Sequence, residues 1–181
     1  MENKKVIRKD FRRLNTLQTN YLSYMKSLSD EGRDHPVVWN IMHMYSSAQL
    51  AKVLANKRGI DEELAAITAA IHDIGAVMTK TQKNHAEAGE IYVYEFLEKY
   101  NETFRGDSPI ITKKEIDSIA YAVVRHSQKD VADEDDLTEL LKDVDSLDRY
   151  LHGVKTKGAH YDRCVRVAKE MGIEISLSTL N

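Results

Sequence analysis

Apolar residues recur at steps of three and four along most of the chain. The clearest stripe runs through Leu64, Ile67, Ile71 and Ile74, with small or polar residues between them. This spacing is typical of one face of a helix, whereas a half-buried strand would alternate at every second residue. Because no hairpin-type alternation is found, the pattern predicts an all-α protein.

Seven helices are predicted from these stripes and from the residues that begin or end a helix. Pro36 suits a first helical turn, Asp61 suits an N-cap, and TKKE at 112–115 has capping-box spacing. Gly59 and Gly75 are expected to end the second and third helices. The predicted helices cover about residues 4–29, 36–58, 61–74, 84–101, 112–127, 136–151 and 159–171.

Length and composition narrow the class of protein. The 181 residues, 42% of them hydrophobic, suit a single packed domain. No apolar run reaches the ~18 residues of a transmembrane helix, and the charged start MENKKVIRKD is unlike a secretory signal. We therefore predict a cytoplasmic protein with no membrane partner.

The net charge of −3 disfavours nucleic-acid binding as the main function. Cys164 is the only cysteine, which disfavours a thiolate metal site.

Candidate chemistry is concentrated in AAIHDIGAV at residues 69–77, where a histidine and an aspartate stand side by side in an apolar stretch. A buried carboxylate needs a partner, a metal ion or a proton, because burying an unpaired charge is costly. One histidine on an apolar face is more often a hydrogen-bonded core residue. Here, however, five predicted helices carry such groups on or beside their apolar faces: His43, His72 with Asp73, His85, His126 and Asp145.

Convergence of these groups favours a metal site over isolated core hydrogen bonds. Facing helices of a bundle commonly build metal sites from such side chains. Imidazole nitrogens and carboxylate oxygens suit Zn, Fe, Mn or Ni. The pattern therefore predicts one shared site inside the bundle.

The order H…HD…H…H…D, with AAIHDIG at its centre, resembles the HD-domain superfamily of metal-dependent phosphohydrolases. The similarity covers about residues 37–152, and DVDSLDRYLHG resembles the closing aspartate motif of the family. The resemblance implies a helical bundle of the HD-domain type, with about seven helices and an extra N-terminal helix. We expect an N-terminal amphipathic helix and linker at 1–34, an HD-type metal-binding domain at 35–171, and a C-terminal tail at 172–181.

The resemblance also implies the metal ligands. The first ion would be bound by His43, His72, Asp73 and Asp145. In dinuclear members a second ion is bound at the positions of His85 and His126, with Asp73 bridging the two. One or two divalent ions are thus expected, from among Mn, Fe, Mg, Zn, Ni and Co. Asp143 is a rival to Asp145, although VDSLDRYL aligns better with the family motif on Asp145.

The chain departs from the family pattern at two places. Many relatives have a lysine where this chain has Ala76, and many dinuclear members have a second histidine beside His126, where this chain has Arg125 and Ser127. The substrate phosphate would then be held by other cations, and we name Lys80, Lys83 and Arg125 as candidates. Lys129 is a further candidate, although a solvated surface position is the commoner interpretation of such a residue.

The function implied is hydrolysis of a nucleotide or another small phosphate ester, by a phosphomonoesterase or a phosphodiesterase. Asp73 would orient the attacking water and accept its proton, and is named as the catalytic residue. Two alternatives stay open: a non-catalytic regulatory module that senses a nucleotide or a metal, and a di-iron oxygenase of the HD type. The expected partner is a small phosphorylated substrate, with a nucleotide preferred, and assembly into a homo-oligomer stays open.

Overall fold

Eight α-helices and no strand are found in the residues that the computed structural model describes, 9–103 and 110–175. The fold is therefore all-α, as the hydrophobic pattern predicts. The predicted start of the first helix at residue 4 and most of the predicted tail at 172–181 lie outside the described residues. The helices are α1 (Arg12–Lys26), α2 (Val37–Arg58), α3 (Glu62–Ile71), α4 (Ile74–Thr79), α5 (His85–Thr103), α6 (Lys113–Arg125), α7 (Asp136–Leu151) and α8 (Ala159–Met171).

Several helix ends carry the signals expected from the sequence. The Asp61 carboxylate accepts a hydrogen bond from the backbone N–H of Leu64 and caps α3. Thr112 and Glu115 form the reciprocal capping box at the start of α6. Gly59 ends α2 with φ of 72°, in the left-handed region where glycine costs least.

The third helix is shorter than predicted, and Gly75 does not end it. The chain leaves α3 after Ile71 and begins the short helix α4 at Ile74. Gly75 lies inside α4, where a Cβ would collide with the carbonyl oxygen of His85 and stand 2.7 Å from the backbone nitrogen of Gly89. Glycine is therefore needed here for close approach of α4 and α5. Because of this break, His72 and Asp73 lie between α3 and α4 and not inside a regular helix.

Helix α3 lies between two apolar clusters, and every residue from Ala65 to Ile71 is buried. The first cluster includes residues of α1, α2, α3, α5 and α6, and the second includes residues of α2, α3, α7 and α8. The α1 side chains Leu14 and Leu17 are fully buried in the first cluster. The end of α3 consequently delivers its polar residues to the interior of the bundle. Among the described helices, none is long and apolar enough to cross a bilayer.

Candidate metal centre

Six side chains from the middle of the bundle meet around the end of α3. His43 comes from α2 and Asp145 from α7, while His85 is the first residue of α5 and His126 is the C-cap of α6. The remaining two, His72 and Asp73, occupy the break between α3 and α4. The structure therefore brings together all six residues that the sequence singles out as metal ligands.

The first half of the cluster contains two imidazole nitrogens and two carboxylates. Nε2 of His43 lies 3.1 Å from Nε2 of His72 and 3.2 Å from Oδ1 of Asp145. Oδ2 of Asp73 lies 3.6 Å from Nε2 of His43 and 3.7 Å from Nε2 of His72. These four atoms are close enough to share one cation.

The second half of the cluster surrounds Oδ1, the other carboxylate oxygen of Asp73. Oδ1 of Asp73 lies 3.0 Å from Nε2 of His85 and 3.5 Å from Nε2 of His126. The two histidine nitrogens are 3.0 Å apart. One carboxylate thus presents one oxygen to each half, which is the arrangement of a ligand that bridges two sites.

Local hydrogen bonds orient three of the rings. In His72, His85 and His126, Nδ1 lies 2.6–2.8 Å from the backbone carbonyl oxygen three residues earlier in the chain. A carbonyl oxygen only accepts hydrogen bonds, so each Nδ1 carries the proton. In a neutral ring the lone pair is then on Nε2, the atom that points to the cluster.

The fourth ring is oriented by a carboxylate. Nδ1 of His43 donates to Oδ2 of Asp148 at 2.5 Å, and both side chains are buried. The Trp39 ring also stacks on His43, with the ring centroids 5.5 Å apart. Sequence analysis did not identify Asp148, although its place three residues after Asp145 in DVDSLDRYL puts it one helical turn further along the same face.

Two features of the cluster fit bound cations. With Nδ1 of both rings protonated, Nε2 of His85 and Nε2 of His126 lie 3.0 Å apart, and two lone pairs at this distance need a proton or a metal cation between them. Oδ2 of Asp73 is buried and has no hydrogen-bond partner among the described residues. Buried polar atoms are rarely left without a partner in native proteins. The donor set of imidazole and carboxylate suits Zn, Fe, Mn or Ni.

Electrostatics keep the carboxylates ionised. Burial by itself would raise the pKa of Asp73, but the neighbouring imidazole rings of His72, His126 and His85 hold it well below its ordinary value. Burial would likewise raise the pKa of Asp145, and the ammonium of Lys129 is the main opposing influence, holding it well below normal. Both side chains are consequently in the charged form that binds metal.

The histidines differ in their protonation. Burial lowers the pKa of His126 to about 4, so this ring is neutral at pH 7 and ready to bind a cation. Burial would also lower the pKa of His43, but hydrogen bonds to Asp145 and Asp148 raise it to about 10. Metal binding at the first half must therefore displace a proton from His43.

Lys129 is buried rather than solvated, contrary to the commoner interpretation of such a residue. Its ammonium donates to Oδ2 of Asp145 at 2.6 Å and to the carbonyl oxygen of Lys142 at 3.2 Å. This ion pair occupies one oxygen of Asp145 and leaves Oδ1 facing His43. A lysine in contact with a candidate ligand thus enters the site from the segment after α6.

A pocket of about 320 Å³ opens onto this cluster. Its floor includes Asp73, His85, Lys129 and Asp145, and the walls are formed by Gln82, Asn84, Glu87, Ser127, Arg149 and His160. Sequence analysis missed Gln82, Asn84 and Arg149, because isolated polar residues outside a motif give no signal in a single sequence.

The three cations proposed from the sequence to hold phosphate do not line this pocket. Lys80 donates to the carbonyl oxygen of Glu31, Lys83 is exposed, and the Arg125 guanidinium lies 3.5 Å from the centre of the Tyr121 ring. On a helix, neighbouring residues point about 100° apart, so Arg125 turns outward while His126 turns inward. The cations at the pocket are instead Lys129 and Arg149.

Asp143, the rival to Asp145, lies away from the cluster. Its buried carboxylate accepts hydrogen bonds from Arg58 at 2.7 Å, Arg163 at 3.0 Å and Arg166 at 2.6 Å. Residues two apart on a helix point about 160° from each other, so the two aspartates face different neighbours. Asp143 ties α7 to α2 and α8, whereas Asp145 faces the histidines.

The sequence also matches a known protein family. The family model described as HD domain matches residues 40–151, more than half of the chain. The chain therefore belongs to the HD-domain family, whose members are generally hydrolases and bind divalent metal ions. No curated protein and no solved structure matches the chain at a significant level.

Proposed function

We propose that this protein is a metal-dependent phosphohydrolase that acts on a small phosphate ester, nucleotides included. The observation that carries the proposal is the convergence of four histidine nitrogens and two ionised carboxylates in one cluster, of which Asp73, His85 and Asp145 line an open pocket. A purely structural histidine cluster would not require an access route from solvent. A cytoplasmic location stays a prediction from the sequence, and assembly into a homo-oligomer stays open.

The residues divide between two cation sites. The first would be held by Nε2 of His43 and His72 with one oxygen each from Asp73 and Asp145. The second would be held by His85 and His126 with the other oxygen of Asp73. Divalent ions bound there supply a Lewis acid for the phosphoryl group and lower the pKa of a water molecule.

The side chains of the chain itself perform the remaining tasks. The ionised Asp73 can orient a water molecule by accepting its hydrogen bond. Lys129 holds Asp145 in one orientation through the 2.6 Å ion pair. Arg149 lines the pocket and offsets the negative charge of a phosphate ester. Fixed donors of this kind stabilise charge without reorganising during the reaction.

Release of inorganic phosphate tests this function. The full chain, loaded separately with Mn, Fe, Mg, Zn, Ni and Co, is assayed with nucleotides, sugar phosphates and phosphodiesters. We expect phosphate or phosphomonoester release that Asp73→Asn abolishes. Asp117→Asn is the matched control, since Asp117 is half exposed on α6 and pairs with Lys113, and it should retain full activity.

Two results would contradict the proposal. A fully metal-loaded protein that hydrolyses none of these esters, while nucleotides raise its melting temperature, is a binding module. A di-iron form that consumes oxygen and releases no phosphate is an oxygenase.

A further inference from the structure

The walls of the pocket carry uncharged polar groups and one acid on one set of elements, and one guanidinium and one imidazole on another. Gln82, Asn84 and Glu87 come from the loop before α5 and from its first turn, whereas Arg149 and His160 come from α7 and α8. Ser127 follows the end of α6. A ligand that reaches the metal cluster must pass between these two kinds of wall.

Most of the hydrogen-bonding capacity of these walls is unused by the protein. The side chains of Gln82, Asn84 and Glu87 make no hydrogen bond or ion pair within the described ranges. The Arg149 guanidinium likewise makes none there, and lies 6.0 Å from the centre of the Trp39 ring. Two amides, a carboxylate and a guanidinium are therefore available to a ligand. Together they suit a molecule with several hydroxyl groups and one anionic group.

The backbone at Asn84 supports a ligand-binding role for this segment. Asn84 has φ of 54°, one of two non-glycine residues with positive φ in the described residues, and it directly precedes His85. Asparagine tolerates this left-handed conformation better than most residues do. Such conformations cluster at functional sites, where they aim a side chain. Here the residue that carries the strain lines the pocket next to a candidate metal ligand.

The walls lack the groups that suit a nucleobase. Within the described part of the chain, no Phe, Tyr or Trp side chain lines this pocket. Ligand pockets usually offer apolar and aromatic surface to a flat ligand, and their volumes range over ~300–1,000 Å³. This pocket, at about 320 Å³, is at the small end of that range. The Glu87 carboxylate would also repel a second phosphate group.

We propose that the substrate is the phosphate monoester of a small polyhydroxylated compound, such as a sugar or a polyol, rather than a nucleotide. This inference rests on the phosphohydrolase function proposed above. Arg149 binds the phosphate, and Gln82, Asn84 and Glu87 hydrogen-bond the hydroxyl groups. In the reaction, a water oxygen forms a new bond to phosphorus and the bond to the sugar oxygen breaks. That oxygen takes up a proton, and inorganic phosphate is released with the free alcohol.

The first test compares the two substrate classes on the metal-loaded full chain. We expect kcat/KM for glycerol phosphate, pentose phosphates or hexose phosphates to exceed that for nucleoside 5′-monophosphates by at least about tenfold (~1.4 kcal/mol), because the small pocket offers the base no aromatic surface among the described residues. Equal or faster hydrolysis of the nucleotides overturns this inference and leaves the phosphohydrolase function standing. No phosphate from any ester, at full metal content, overturns the function itself.

The second test locates the hydroxyl contacts. Asn84→Gly removes the amide but keeps a residue that favours positive φ, and Glu87→Gln removes the acid. Each should raise KM for the preferred sugar phosphate by about fivefold, the effect of one lost hydrogen bond. The rise should be smaller for methyl phosphate, which has no hydroxyl group on its carbon.

Glu90→Gln is the matched control, because Glu90 is exposed on the same helix and does not line the pocket. It should leave both KM values unchanged. Metal content is measured in each variant, and we expect it to equal that of the wild type. An equal rise in KM for methyl phosphate and the sugar phosphate would show that these side chains do not recognise hydroxyl groups, and would overturn the assignment.

Discussion

Asp148 accepts a hydrogen bond from Nδ1 of His43 at 2.5 Å, so that Nε2 of the same ring faces His72 and Asp145. The contact joins α7 to α2 inside the bundle, where the Asp148 side chain is 2% exposed. A carboxylate behind a metal-binding histidine fixes its tautomer and makes its free nitrogen more basic. Asp148 would therefore support the proposed first cation site through His43, without contacting the ion itself.

Asp148→Asn should weaken metal binding by about 10–100-fold, because the neutral amide is a poorer partner for His43 Nδ1–H. Competition with a chelator of known affinity measures the change. Asp162→Asn, at an exposed position on α8, is the control and should bind metal as the wild type does. An unchanged affinity in a folded Asp148→Asn protein would show that this hydrogen bond does not tune the site.

The number of bound ions tests the two halves of the cluster. Metal analysis should approach two ions per chain in the wild type and about one in His126→Ala, because Nε2 of His126 lies 3.0 Å from Nε2 of His85 and 3.5 Å from Oδ1 of Asp73 in the second half. Asp73→Ala should lose both ions because its two oxygens serve the two halves. Asp117→Ala should keep two, as Asp117 is half exposed on α6 and pairs with Lys113. One ion in the wild type, with His126→Ala unchanged, would reject a dinuclear site.

Substitutions of Asp143 and Asp145, both on α7, should have different effects on stability and metal binding. Asp143→Asn leaves three arginines without their shared carboxylate, and we expect it to lower the free energy of unfolding by about 3 kcal/mol, the effect of breaking a buried ion pair. Its metal content should stay at the wild-type value. Asp145→Asn should instead lose metal and activity. Urea denaturation and metal analysis separate the two, and a reversed pattern would assign the ligand to Asp143.

Replacement of Gly75 by alanine, which adds a single methyl group, should destabilise the protein. Gly75→Ala places Cβ against the carbonyl oxygen of His85, so α4 and α5 must separate. We expect a loss of ~1–3 kcal/mol in the free energy of unfolding from overpacking, and fewer metal ions because His85 moves. Ala76→Gly, at the next position of α4, should cost about 1 kcal/mol and leave the metal content unchanged. Normal metal content in Gly75→Ala would show that the helix contact does not position His85.

Glu139 should make the free energy of unfolding depend on pH in the acidic range. Burial would raise its pKa, but hydrogen bonds from Arg163 and Lys142 hold it at about 2, below the ordinary value of 4.5. Because the folded-state pKa is depressed, the stabilisation is complete above pH 4.5 and is lost as pH falls toward 2. The difference in unfolding free energy between wild type and Glu139→Gln should therefore shrink over this window. A difference that stays constant would exclude this linkage.

Local pattern was enough to predict seven of the eight helices in the described residues and to indicate the family. The spacing of apolar residues and the effect of capping residues depend only on neighbours along the chain. The caps at Asp61 and Thr112 and the all-α class therefore follow from the sequence. The H…HD…H…H…D order likewise singles out six residues, and the match to the HD domain over residues 40–151 confirms the family. Their roles as ligands stay a proposal for metal analysis to test.

Only the tertiary structure could show how the helices are arranged around these residues. The break between α3 and α4 depends on the approach of α5 to Gly75, and the burial of Lys129 depends on its ion pair with Asp145 on a different helix. Arg149 and Asn84 reach one pocket from segments 65 residues apart in the chain numbering. Periodicity states which face of a helix is buried, but not which other helix meets that face. Packing between helices decides that, and with it the shape and charge of the pocket.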